Sequence, residues 1–63
     1  MKTVNIEIES FGLVTNIFGY VIYEDEKIFN LKDVEITRSN GEREYCKKYS
    51  VPKCYISYFK INE

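Results

Sequence analysis

An all-β chain is predicted by three observations: a strand-forming composition, clean two-residue alternation in its first segment, and turn signals at Phe11-Gly12 and Asn40-Gly41. Val, Ile, Thr, Tyr and Phe fill 26 of 63 positions, whereas Ala, His, Gln and Trp are absent and Leu occurs twice. β-Branched and aromatic side chains suit a pleated, half-buried surface, while Ala and Leu lead the helix formers this chain does almost without. A chain of 63 residues has room for one domain and one core, so residues 1–63 are read as a single unit with short links.

Thr3 to Glu9 alternates, with Val4, Ile6 and Ile8 on one face and Asn5, Glu7 and Glu9 on the other. That is a half-buried strand. Phe11-Gly12 marks a turn, and Leu13 to Tyr23 then forms the longest apolar stretch, with Ile17, Gly19, Val21 and Tyr23 on one side and Phe18, Tyr20 and Ile22 on the other. With no helix to cover a second apolar face, this strand is expected to bend so that different parts meet one core. Gly19 is the natural place for a bend or a close backbone approach.

The acidic run Glu24-Asp25-Glu26 leads into Lys27 to Thr37, where Phe29 and Leu31 sit at odd positions but Val34 and Ile36 at even ones. A bulge at Lys32-Asp33 would restore one buried face. Ser39-Asn40-Gly41-Glu42 predicts a two-residue type I′ hairpin, setting Ile36 opposite Tyr45 and Arg38 opposite Arg43. Glu42 to Tyr49 is the next strand. Ser50-Val51-Pro52-Lys53 is read as a turn, since Pro cannot donate to a ladder, and Cys54 to Ile61 as the last strand. Five highly bent antiparallel strands in so short a chain point to a small, partly open barrel.

The charge balance narrows the partners. The net charge is −1, which argues against nucleic-acid binding through bulk charge alone. The distribution is uneven, however: residues 1–35 hold three Lys against seven acids, and residues 36–63 hold six bases against three acids. One end could therefore present a basic face. The sequence contains no secretory-type apolar run and no stretch long enough for a membrane span, so a cytoplasmic location without membrane partners is expected.

Chemistry is poorly supplied. Without His, the chain lacks the usual base for nucleophilic catalysis, and two Cys cannot complete a four-ligand zinc site. Glu24, Asp25 and Glu26 form an acidic run suited to solvent. The chain is therefore read as a non-enzyme with no cofactor and no metal. Cys46 and Cys54, eight residues apart on consecutive predicted strands, could face each other in a disulfide of ~2.5 kcal/mol. The alternative is two free thiols acting as small hydrophobes.

Tyr49, Tyr55 and Tyr58 lie among Lys47, Lys48, Lys53 and Lys60. Aromatics interleaved with bases suit stacking on single-stranded nucleic acid. Tyr equally suits a protein interface or the rim of a core. On the RNA reading the site residues are Lys27, Lys53 and Tyr55, and on the protein reading Tyr49 and Tyr58.

Phe18-Gly19-Tyr20-Val21-Ile22-Tyr23-Glu24, followed by Leu31-Lys32-Asp33-Val34-Glu35-Ile36, resembles the first motif of the Sm-like family, which comprises the Sm and LSm proteins and bacterial Hfq. Val51-Pro52-Lys53-Cys54-Tyr55-Ile56-Ser57 resembles the second motif in its Hfq form. The resemblance implies a bent five-stranded barrel that pairs its edge strands with neighbouring copies in a ring and binds single-stranded RNA near the pore. The family's Asp and base-contacting Asn correspond here to Glu24 and Ile28, and its basic second-motif pair to Lys53-Cys54.

Residue usage adds a further expectation. Phe, Tyr, Met, Ile, Asn and Lys make 31 of 63 residues, as AT-rich coding produces in many phages and mobile elements. A short Tyr-rich β domain of that origin suggests a stoichiometric inhibitor of a host protein, acting through edge-strand pairing.

Overall fold

The computed structural model describes residues 1–63 and contains five strands: β1 (Thr3–Ser10), β2 (Leu13–Glu24), β3 (Ile28–Thr37), β4 (Arg43–Pro52) and β5 (Tyr58–Asn62). All pairings are antiparallel, in the order β4-β3-β2-β1-β5. The sheet is open. β4 pairs only with β3, and β5 only with β1.

One face of this sheet is buried, and its alternation is the one read from the sequence. Val4 and Ile6 of β1, Ile17 of β2, Phe29, Leu31, Val34 and Ile36 of β3, and Val51 of β4 form the core. Ile8, Val21, Cys46, Ile56 and Ile61 pack around it. The parity change in β3 is resolved at Asp33, which takes φ +50° while both flanking apolar pairs stay buried. Two β3 residues, Asp33 and Val34, stand opposite Gly19 of β2. This is a bulge, and it curves the strand pair.

Gly19 is a close-approach glycine. A Cβ there would lie 3.0 Å from Val34 Cγ2 and 3.2 Å from Leu31 Cβ. The rest of β2 departs from expectation. A second register shift leaves Ile22 unpaired between Val21 and Tyr23, so Tyr23 joins the outer face and Glu24 comes opposite Phe29. Phe18, Ile22 and Tyr23 are exposed rather than turned into the core by a bend.

Curvature instead comes from the sheet as a whole. Phe29 on β3 and Phe59 on β5 meet edge to face with ring centroids 5.1 Å apart, although β2 and β1 lie between their strands. In a flat sheet three inter-strand steps would separate them by ~14 Å. The sheet has rolled its inner face onto itself.

The two hairpin loops differ from each other in type. Phe11 and Gly12 both have positive φ, +53° and +78°, and they join Ser10 to its partner Leu13. This is the type I′ geometry. At the second hairpin only Gly41 is positive, at +90°. Gly41 N–H donates to Arg38 O, and Arg38 N–H to Glu42 O, so the loop has three residues with Gly in the left-handed position of a bulged type I turn. The predicted register shifts accordingly: Ile36 faces Glu44, Glu35 faces Tyr45, and Arg38 forms an ion pair with Glu44 rather than meeting Arg43.

The C-terminal third is also corrected. Ser50, Val51 and Pro52 end β4 instead of turning, with Val51 buried opposite Phe29 and Pro52 on an edge strand, where a missing donor is tolerated. Lys53–Tyr55 is a short 3-10 turn, closed by Ile56 N–H on Lys53 O, and the last strand begins only at Tyr58. Ser57 ties this link to β1: its N–H donates to Glu7 O, and its Oγ accepts from Glu9 N–H. The chain thus crosses over to β1 rather than folding back on β4. For this reason Cys46 and Cys54 do not face each other. Both are free thiols, Cys46 half-buried opposite Val34 and Cys54 exposed on the 3-10 turn.

Candidate functional site

Where bulges and edges leave side chains determines what this surface offers. None of the six tyrosines belongs to the buried core, whose one aromatic is Phe29. Tyr45 and Tyr49 are exposed on β4, Tyr58 on β5, Tyr55 on the 3-10 turn and Tyr23 on the outer face of β2. Both free edges of the sheet therefore carry exposed tyrosines. Tyr49 and Tyr58, the two interface residues expected from sequence, lie on opposite edges.

Lys27, Lys53 and Tyr55 were expected to form one RNA-binding group. The structure brings the two lysines together: Lys53 N–H donates to Lys27 O at 2.8 Å, and both line a shallow depression of about 620 Å³ with Glu26, Pro52 and Cys54. Tyr55 is exposed next along the turn. The ammonium groups, however, are not equivalent. Lys53 Nζ forms an ion pair with Glu24 Oε2 and lies 4.7 Å from the Phe29 ring centre and 5.4 Å from that of Phe59. It closes the end of the core. Both side chains of this pair are largely buried, at 20% and 26% exposure.

The surrounding charges are acidic. Glu24, Asp25 and Glu26 adjoin Lys27, and Asp25 is used structurally to form the β2–β3 turn. Its Oδ1 accepts from Lys27 N–H at 2.8 Å and from Ile28 N–H at 3.0 Å, and its Oδ2 accepts from Tyr23 Oη–H at 2.9 Å. The Lys27 amide and then the Tyr23 hydroxyl hold the Asp25 carboxyl below its ordinary value. The same hydrogen bond and the neighbouring negative charge push the Tyr23 phenol up. Three acids against two lysines, one of them committed to Glu24, make a poor cradle for phosphate.

The pairing of Glu24 with Lys53, 29 residues apart, had no signature in the sequence. The outward tip of the first hairpin was more legible. A Phe in a two-residue turn between alternating strands has no core to reach, and Phe11 is 100% exposed, with Leu13 at 61% beside it.

Groups of three or more His, Cys, Asp or Glu placed to hold a metal ion are absent, and no helix is long and apolar enough to cross a membrane. No protein-family model matches the chain, and no curated protein sequence matches it.

Proposed function

We propose that this protein is a non-enzymatic binding module that engages a protein partner through its free sheet edges. The observation that carries this reading is the open sheet itself. β4 and β5 each leave one side of their backbone unpaired, and Tyr45, Tyr49 and Tyr58 stand exposed along those edges. An unpaired edge is a template for β-augmentation, in which main-chain hydrogen bonds supply affinity and side-chain anchors supply specificity. Tyr adds rigid contact area at low entropy cost. The rolled sheet, with Phe29 against Phe59, is read as a small, partly open barrel. AT-rich residue usage makes a host protein blocked by a phage or mobile element the partner class of choice.

The other reading is an Sm-like ring that binds single-stranded RNA. It is favoured by the meeting of Lys27 and Lys53 at one end of the sheet. The acidic run beside them and the Glu24 pairing of Lys53 weigh against it.

Both readings are tested by capture from a low-GC bacterial lysate. Recovery of one protein in stoichiometric amount, lost in a Tyr45→Asp/Tyr58→Asp variant that still folds, is the expected result. Recovery of RNA whose retention falls steeply with salt would overturn the protein reading.

A further inference from the structure

The first hairpin runs past the rest of the sheet. β3 accompanies β2 only as far as Asn16, opposite Thr37, and β5 accompanies β1 only as far as Glu7, opposite Tyr58. Beyond them Ile8, Glu9 and Ser10 pair only with Thr15, Val14 and Leu13, and Glu9 N–H is steadied by Ser57 Oγ. Those three residues carry the tip ~10 Å beyond the sheet, at the usual rise of a strand. Two strands without further support hold together poorly in water, yet this arm ends in apolar side chains. Phe11 is wholly exposed, and Leu13, on the inner-face side in line with Ile17, is largely so. Phe11 also holds φ +53°, a region that a bulky L-residue enters at a cost and that Asn or Gly enters far more easily. Strain kept at an exposed turn, with no folded contact in return, points to function.

The charge on the arm has one sign. From Thr3 to Glu26 the sequence holds five acids and no base. Glu7 and Glu9 stand exposed on the outer face of β1 and take part in none of the three ion pairs of the chain. The bases of the neighbouring strands are engaged elsewhere or unpaired: Arg43 pairs with Glu35 and Arg38 with Glu44, while Lys60, opposite Asn5, forms no ion pair with Glu7. That sign decides among occupants. Two arms packed tip to tip would set four carboxylates against one another, and nucleic acid or an anionic lipid surface is repelled by the same field. A protein surface that is apolar at its centre and basic around it is attracted.

We propose that the first hairpin is a docking arm: Phe11 and Leu13 enter an apolar socket on a partner protein, and Glu7 and Glu9 meet Lys or Arg side chains at the rim of that socket. The inference rests on the protein-partner reading above and adds to it a second place of contact and the chemistry of the partner's surface. A buried aromatic anchor concentrates affinity in a small contact, and the charges around it steer the encounter.

Phe11→Asn suits the turn and should raise the melting temperature of the free chain; an unchanged or lower value would overturn the proposal, since Phe11 would then be serving the fold. The full chain is next used as bait in a low-GC bacterial lysate. The protein it retains should cross-link to a chain in which Phe11 is replaced by p-benzoylphenylalanine. Once purified, that protein should bind Phe11→Asn at least about tenfold more weakly, as loss of an aromatic anchor requires, and Glu9→Lys should weaken binding and flatten its fall with salt. A captured protein that Tyr45→Asp/Tyr58→Asp loses, but that Phe11→Asn and Glu9→Lys both keep, would overturn the arm and leave the edge reading standing. Capture of no protein would overturn both. Phe11-dependent self-association in sedimentation, or Phe11-dependent binding to phosphatidylcholine vesicles, would each overturn the choice of occupant and with it the proposal.

Discussion

At the scale of single residues, two positions show how little freedom this chain has. Gly19 is buried beneath Val34 and Leu31, and its backbone needs no unusual dihedral; what it needs is the missing Cβ. Gly19→Ala should therefore destabilise by about 1–3 kcal/mol, the usual cost of overpacking, because both opposing atoms belong to core side chains that cannot swing away. Thermal unfolding would measure it, and an unchanged melting temperature would show that β3 gives way. Asp25 is the second such position. Its carboxyl is held below the ordinary 3.8, so the charged form is favoured in the folded state, and the stability it contributes is present above that value and lost as pH falls through the folded one. Asp25→Asn should flatten the acid limb of the stability curve. Because the group is exposed, the effect is small, and the β2–β3 turn amides are where NMR should detect it.

At the scale of elements, the turns decided register. Ser39-Asn40-Gly41-Glu42 was rightly a hairpin, but Asn-Gly serves two loop types, and only the dihedral at Asn40 separates them. With Asn40 kept at negative φ and Gly41 at +90°, the loop takes three residues and the strand pairing slips by one. Gly41→Ala is expected to cost about 1–2 kcal/mol, since the left-handed position persists and nothing crowds the new methyl. Measured by thermal unfolding, a smaller loss would mean that the loop had switched to another type. The first turn shows the converse. Phe11-Gly12 adopts the type I′ form with a residue that propensity alone would not place there.

At the scale of the whole molecule, the rolled sheet depends on a contact between distant parts of the chain. Lys53 bridges Glu24 at the end of β2 to the Phe29 and Phe59 rings, and so covers the open end of the core. Removing either partner alone strands the largely buried charge of the other, whereas replacing both together does not. Glu24→Gln and Lys53→Met should therefore each cost about 1–3 kcal/mol, between the values for surface and buried pairs, and the double variant distinctly less than their sum. A double-mutant cycle on chemical denaturation would check this coupling. Additive losses would show that the two side chains act independently.

The all-β class, the buried faces of β1 and β3, the bulge at Asp33 and the role of Gly19 were all legible in the sequence. Each rests on local chemistry: two-residue periodicity, a parity break, or a side chain too small for its neighbours to ignore. The departures at β2 and at the C-terminal end have a common cause. Sequence alternation reports which residues share a face, but not whether another element covers it, so Phe18, Ile22 and Tyr23 read as apolar and stand in solvent. Likewise Cys46 and Cys54 read as neighbours across a hairpin, and a crossover to β1 parts them. What the sequence determined by itself is therefore the strand content and the inner face, because these follow from short-range spacing. The order of the edges, the committed state of Lys53 and the exposure of the tyrosines were decided only by tertiary structure, since they depend on which distant strand arrives alongside.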